Sequence, residues 1–258
     1  MELIDMARLE RDEHALAEAF QTARPFRYLV IDDFLHAEQA VRIMAEYPVI
    51  DADWASANGL HTRGKWAKPT VAGSVAEAFY REINSPAFRS YLGRLTGIRD
   101  LLADADLQGA GYHQILDGGF LNVHIDFNKH GSTGLDRRLN LIVYMNADWR
   151  PEYGGYLELW DMDTKQRVGN IAPLLNRCVL FETNEISYHG HPVPLATGGE
   201  TTRKSLSVYY YTDGRDDIQA APEHNTVYVN TQGAQGRARI FAQGIAHAGQ
   251  KLKKSISG

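Results

Sequence analysis

The chain has 258 residues, a length that fits one sizeable domain with a substantial core. Its formal net charge is −5 and its lysines cluster only at residues 251–254, which disfavours nucleic acid as a partner. A single cysteine, Cys178, excludes an intrachain disulfide and a thiolate cluster for zinc or iron–sulfur, and it indicates a reducing compartment. No unbroken apolar run occurs at the N-terminus or later, which predicts a cytoplasmic protein that neither enters nor binds a membrane.

The first part of the chain is predicted to be largely helical. Apolar residues recur at helical spacing over residues 5–23 and again over residues 37–47. A short β-rich run, Tyr28–Ile31, lies between these two segments. Ser74 is typical of a helix N-cap and predicts a helix over residues 75–95 with a break at Ser85-Pro86.

From about Gln108 the pattern changes to short β-branched and aromatic runs separated by turn residues. The predicted strands cover residues 111–116, 119–126, 139–146, 156–161, 166–171, 177–182 and 204–212. Their even spacing favours a sandwich or a barrel over an α/β sheet. After Gly214 we expect one more strand within residues 225–230 and a helix over residues 234–248.

These elements predict one functional domain with three regions. Residues 1–107 form a helical support region packed on the core, residues 108–214 form the β-core that carries the catalytic groups, and residues 215–258 form a C-terminal extension. The predicted fold class is mainly β with a helical N-terminal layer.

The segment from Leu121 to Phe127 carries the first chemical signal. Strand alternation places Asn122, His124 and Asp126 on one face, so an imidazole and a carboxylate converge on one point. A third ligand would complete a facial triad of two histidines and one carboxylate, which leaves open positions on Fe(II). A His and an Asp two residues apart also arise by chance, so this pair alone is a weak signal.

Two histidines compete for the position of the third ligand. His189 and His191 follow the strand predicted over residues 177–182, about sixty residues after the first pair. Both face the same way if the segment is extended, so periodicity does not choose between them.

A cationic anchor follows at the start of the last predicted strand. Arg203 and Ser205 share one face of that strand. A guanidinium grips a carboxylate through two parallel hydrogen bonds, and a serine hydroxyl adds a third donor. We therefore expect Arg203 and Ser205 to bind the distal carboxylate of a dicarboxylic acid.

In this combination the sequence resembles the 2-oxoglutarate and Fe(II)-dependent dioxygenases, specifically their prolyl-hydroxylase-like branch. The resemblance covers about residues 111–212. It is carried by Gly118-Gly119-Phe120-Leu121 before the His-x-Asp pair, Arg138 to Asn146, Trp149 followed by Gly154 to Trp160, Asn176-Arg177, Ser187-Tyr188-His189 and Arg203-Lys204-Ser205.

The resemblance implies a double-stranded β-helix, or jelly roll, that holds Fe(II) through His124, Asp126 and His189. It favours His189 over His191 because a serine, an aromatic residue and then a histidine is how related segments place their ligand. By the same analogy Arg203, Ser205 and Tyr144 hold 2-oxoglutarate, although a core role for Tyr144 is an equal alternative. O2 would be the second co-substrate, and succinate and CO2 would be released during hydroxylation.

The expected substrate is an amino acid, a peptidyl residue such as proline, or another small molecule. Trp160, Asn128 and Glu182 are candidates to line the pocket, but ordinary structural roles fit them better. Two other functional classes compete with the oxygenase. One is a zinc hydrolase or lyase, and the other is a jelly-roll module that binds sugars or regulates without catalysis.

Overall fold

The structure is a computed structural model that describes residues 2–104, 106–215 and 221–256. Its α-helices are α1 (Met6–Arg11), α2 (Glu13–Thr22), α3 (Ala37–Ala45), α4 (Val75–Ile83), α5 (Pro86–Thr96) and α6 (Gly233–Ile256). Within the described ranges, none of these helices combines the length and the apolar composition that crossing a lipid bilayer requires.

The predicted helices are confirmed with adjusted limits. The segment predicted as one helix over residues 5–23 is divided at Asp12, which ends α1 and precedes α2 and whose carboxylate accepts hydrogen bonds from Arg11. Ser74 caps α4 as predicted, since its hydroxyl oxygen accepts a hydrogen bond from the Glu77 N–H at 3.1 Å. Helix α6 is longer than the predicted residues 234–248.

The strands are β1 (Tyr28–Ile31), β2 (Ala55–Ala57), β3 (Thr62–Lys68), β4 (Leu102–Ala103), β5 (Gly111–Ile125), β6 (Asp136–Tyr144), β7 (Leu157–Asp161), β8 (Gln166–Ile171), β9 (Cys178–Glu182), β10 (His189–His191), β11 (Arg203–Thr212) and β12 (Val227–Tyr228). A single antiparallel path runs β1-β9-β6-β11-β5-β10-β7-β8. The path curls into a jelly roll, so the predicted fold class, mainly β with a helical N-terminal layer, is confirmed.

Strand β5 was predicted as two strands, and the structure joins them through a bulge. Lys65 of β3 faces Ile115 of β5, whereas Arg63 faces Phe120, so residues 116–119 stand opposite the single Gly64. Four residues opposite one leave three extra residues in β5, and an odd number of extra residues changes the face, so both His113 and His124 line the interior. The bulge thereby turns the His-x-Asp segment inward.

Both edges of β5 are covered by other strands. On one edge its first half pairs with β11 and its second half with β10. The other edge pairs with β3 over residues 112–121 and with β12 at residues 124 and 125. Segments from before and after the predicted β-core therefore complete the sheet around the strand that carries His124.

The helices cover the outer face of the sheet. Leu141 and Val143 of β6 and Leu206 of β11 pack against Phe79 of α4 and Leu92 of α5 in one buried cluster. Burying an apolar side chain of this size stabilises the fold by about 1.5–3 kcal/mol. Because side chains alternate along each strand, the residues between these apolar positions face the interior of the curled sheet.

Candidate metal centre and co-substrate pocket

His124 lies near the end of β5, with its imidazole buried inside the curled sheet. Its Nδ1 lies 2.9 Å from the backbone oxygen of Asn122 and donates its proton to that oxygen. The Nε2 lone pair is consequently free, and Nε2 lies 3.5 Å from Oδ1 of Asp126. A backbone hydrogen bond of this kind fixes the tautomer and the orientation of a metal-binding histidine.

His189 is placed in the same way by a different strand. Strand β10 lies between β5 and β7, and its register sets His189 directly opposite His124. The Nδ1 of His189 donates to the backbone oxygen of Ser187 at 2.8 Å, and its Nε2 lies 3.5 Å from Oδ2 of Asp126. The two imidazole centroids are 4.4 Å apart.

The three side chains offer ligand atoms that all lie within 4.8 Å of one another. Ligands about 2.0–2.2 Å from one ion and at right angles to each other are roughly 3 Å apart, so a small inward movement would suit a metal. Two imidazole nitrogens and one carboxylate oxygen form the donor set of a facial triad. His124, Asp126 and His189, called the trio below, therefore fit a ferrous ion.

His191 faces the same interior but does not belong to this trio. It lines the cavity beside His189, as expected for alternate residues of an extended segment. Its register places it opposite Leu121 rather than opposite His124. The alternation of side chains along an extended segment correctly predicted that both histidines face inward. The register with β5 distinguishes them, because only His189 lies opposite His124.

Asp126 is held by two neighbours that sequence reasoning did not identify. Asn140 of β6 donates from Nδ2 to Asp126 Oδ2 at 2.7 Å, and the Arg137 Nη2 lies 3.2 Å from the same oxygen. The guanidinium of Arg137 lies over the rings of Phe127 and Tyr209, at 4.4 Å and 3.5 Å from their centroids.

The charge of Asp126 follows from these contacts. Burial raises its pKa, but the attraction of Arg137 and of the two imidazoles outweighs burial, so the pKa of Asp126 lies well below its usual range. Asp126 is thus a carboxylate at neutral pH, with Oδ1 remaining for a metal.

We expect the metal-free protein to lose stability as the pH falls from 7 to 5. Burial lowers the pKa of His189 from 6.5 to about 4, so below pH 6.5 the unfolded chain binds a proton that the folded chain does not accept until about pH 4. At about 1.4 kcal/mol per pKa unit, His189 alone costs about 2 kcal/mol at pH 5. Urea unfolding midpoints at both pH values measure this loss.

The His189→Gln variant is the control for this pH dependence, since an amide does not titrate. The midpoint of the variant should fall less between pH 7 and pH 5 than that of the natural chain. Equal decreases would show that His189 is not the group responsible.

The predicted co-substrate anchor lies on the same interior surface. Arg203 and Ser205 line the cavity, and Ser205 pairs directly with Tyr144 of β6. The Arg203 Nε donates to the Gly155 oxygen at 2.7 Å, and its Nη2 donates to the Tyr144 hydroxyl at 3.0 Å. The other N–H groups of the guanidinium remain for a carboxylate.

Gly155 is the residue that lets Arg203 take this position. Its φ is +68°, and a Cβ there would clash with Leu195 and come within 3.1 Å of the Arg203 Cδ. The Gly154-Gly155 pair noted in the sequence is therefore part of the anchor.

The three weaker pocket candidates have structural partners instead. Glu182 forms an ion pair with Arg27, Asn128 bonds residues of the C-terminal segment, and the Trp160 indole donates to Glu158. None of the three is among the residues that line the cavity holding the trio. The cavity does include Lys65 of β3, which sequence reasoning missed.

Comparison with known proteins gives two kinds of match. A family model described as the 2OG-Fe(II) oxygenase superfamily matches residues 108–211. The mouse protein named prolyl 3-hydroxylase OGFOD1 is 32% identical over 135 residues, which cover 51% of this chain and 23% of that protein. This chain thus spans about a quarter of the length of that relative.

Solved structures share the fold. A Pseudomonas putida prolyl-4-hydroxylase has a TM-score of 0.55 at 16% identity, with coverage of 76% of this chain and 98% of its own. A prolyl hydroxylase solved in complex with a hypoxia inducible factor peptide fragment, from Trichoplax adhaerens, has a TM-score of 0.58 at 16% identity, with coverage of 81% and 94%.

The fold, the trio and the family match agree with one another. The family match over residues 108–211 supports the resemblance to 2-oxoglutarate and Fe(II)-dependent dioxygenases, and the trio and Arg203 suit Fe(II) and 2-oxoglutarate. Residues 108–211 are thus similar to the 2OG-Fe(II) oxygenase superfamily over the segment that carries the trio and Arg203.

Proposed function

We propose that this protein is an Fe(II)- and 2-oxoglutarate-dependent dioxygenase that hydroxylates an unactivated C–H bond and releases succinate and CO2. The observation that carries this proposal is the placement of the trio and of Arg203 in one cavity. A zinc hydrolase or a binding module has no need for a buried guanidinium beside an open metal site.

Each residue of the trio has a defined task in this proposal. His124 and His189 present Nε2 because their Nδ1 protons are engaged by backbone oxygens, and Asp126 presents Oδ1 because Oδ2 is engaged by Asn140. The ferrous ion, with 2-oxoglutarate and O2, supplies the oxidising chemistry when bound. The chain holds these groups and shields them from water.

The co-substrate tail is assigned to three side chains. Arg203 forms charge-assisted hydrogen bonds to the distal carboxylate, Ser205 adds a hydroxyl donor, and Tyr144 positions the guanidinium through its own hydroxyl. Burial makes these interactions stronger than they would be in water.

The proposed substrate class is an amino acid, a peptidyl residue such as proline, or another small molecule. A relative named as a prolyl 3-hydroxylase and a structural neighbour bound to a peptide support the prolyl case. Because its thiol is buried, the single Cys178 is suited to a reducing compartment, and the cytoplasm is the proposed location.

Anaerobic titration tests the function directly. Adding Fe(II) and 2-oxoglutarate without oxygen should produce the visible charge-transfer band of the chelate at one equivalent of each. Admitting O2 should then yield succinate even without substrate, at a slow uncoupled rate. The band would be absent from a folded zinc enzyme or a binding module, and its absence would reject the oxygenase.

A further inference from the structure

Lys65 is the one lysine among the residues that line the catalytic cavity. It lies on β3, where it pairs with Ile115, and Ile115 pairs on its other side with Arg203. These three residues therefore form one row across adjacent strands, and all of them line the cavity. Strand spacing sets Lys65 and Arg203 about 10 Å apart at their backbones.

We propose that Lys65 binds a carboxylate of the substrate, so that the substrate is a small organic acid with its acidic group held on the β3 side of the cavity. This inference rests on the proposed oxygenase function. It narrows the substrate class from amino acids, peptides and small molecules in general to free acids.

The ammonium group of Lys65 has no partner among the residues that the structure describes. Its side chain forms neither a hydrogen bond nor an ion pair with any of them. By contrast Lys68, three residues further along β3, contacts Asp51 at 3.4 Å and Asp53 at 3.5 Å. Lys65 is half-buried, and a cation that is partly removed from water and has no counter-ion favours the binding of an anion.

Asp126 does not serve as that partner. It lines the same cavity, but its two oxygens contact His124, His189, Arg137 and Asn140. If a ferrous ion and 2-oxoglutarate were bound, their charges would cancel, and the charge of Asp126 would be matched by Arg137. Arg203 would pair with the distal carboxylate, so the positive charge of Lys65 would remain for a further anion.

A second polar side chain in the cavity also has no partner. His191 is 3% exposed, and neither of its ring nitrogens has a hydrogen-bond partner within the described part of the chain. A buried imidazole with both nitrogens unpaired has hydrogen-bonding capacity for an ordered water or a polar ligand. Lys65 and His191 are therefore two polar side chains of the cavity that neither the metal nor 2-oxoglutarate is proposed to contact.

The position of Lys65 separates it from the co-substrate tail. Ile115 lies between Lys65 and Arg203 in the sheet, so the two cations reach the cavity from strands that are not neighbours. A substrate acid held by Lys65 would share the cavity with the trio.

Binding measurements on the anaerobic complex test this inference. Fe(II) and 2-oxoglutarate are added to form the charge-transfer band, and the common free L-amino acids are titrated while the band is monitored. We expect at least one acid to shift the band, and its primary amide to bind at least tenfold more weakly. In Lys65→Met the affinity for that acid should fall at least tenfold, and Lys65→Arg should retain part of it.

Two controls keep the result specific. The affinity for 2-oxoglutarate should stay within twofold of the natural value in Lys65→Met. Lys68→Met, on the same strand but the opposite face, should bind the acid normally. Thermal unfolding of each variant verifies that it is folded.

Three outcomes would overturn the inference. They are a tenfold loss of 2-oxoglutarate affinity in Lys65→Met, equal binding of an acid and its amide, and no shift of the band by any free acid. In each of these cases the band still forms, so the oxygenase itself stands. Failure of the band in the natural protein would instead reject the proposed function.

Discussion

Replacing His189 by alanine should reduce the affinity for Fe(II) by more than about a hundredfold, whereas replacing His191 by alanine should leave it within twofold. Loss of groups that merely orient a ligand already costs 10–100-fold, so loss of a ligand itself costs more. Of His189 and His191, only His189 has its Nε2 close to Asp126, at 3.5 Å. Iron bound per chain, measured anaerobically after desalting, distinguishes the two variants.

The two histidines form a matched pair, because both are buried on the same three-residue strand. Circular dichroism and the unfolding temperature control for general damage in each. If His191→Ala lost iron while His189→Ala kept it, the assignment of the third ligand would be reversed.

Replacing Arg203 by methionine should raise the dissociation constant of 2-oxoglutarate on the order of a hundredfold without changing the affinity for Fe(II). Removing one partner of a buried charge pair costs 2–5 kcal/mol, and 2.7 kcal/mol corresponds to a hundredfold. Arg203 is 6% exposed and makes no contact with the trio, which is why metal binding is spared. Titration of the charge-transfer band gives both constants.

Two further variants test whether the planar shape of the Arg203 guanidinium, and not only its charge, contributes to 2-oxoglutarate binding. Arg203→Lys keeps the charge but loses the planar fork, so its dissociation constant should lie between those of the natural chain and Arg203→Met. Arg177→Met removes an arginine that pairs with Asp32 at the surface, and it should bind 2-oxoglutarate normally. Unchanged binding in Arg203→Met would remove this residue from the co-substrate site.

Local patterns predicted the parts of the site that lie on regular strands. Period-two alternation placed His124 with Asp126 and Arg203 with Ser205, and the structure brings all four into one cavity. His124 and Asp126 alternate with the apolar residues Val123, Ile125 and Phe127, so the sequence itself indicates which face of that segment carries the polar groups.

Residues at irregular positions could not be predicted in this way. Alternation from Asn140 would direct Arg138 inward, but the register between β6 and β11 shifts between Tyr210 and Tyr211, and Arg137 is the residue beside Asp126. A shift of one residue exchanges the two faces of a strand. No local feature of the sequence signals such a shift.

Strands that depend on distant partners were also missed. Strand β3 contains a glycine and three basic residues, a composition with weak strand preference, and it is stabilised by pairing with β5 over six positions. Strand β10 has only three residues, and it exists because β5 and β7 flank it. Lys65 was overlooked as a site residue because its strand was not expected.

The pairing of β5 with β3 and β12 bears on how this protein can be divided for experiments. A fragment limited to the family segment, residues 108–211, would lack both of these strands and would leave one side of β5 with unpaired backbone N–H and C=O groups from residue 112 to residue 125. Exposed strand edges of this length recruit other chains. Such a fragment should self-associate and lose the alignment of His124, although every metal ligand would still be present in it.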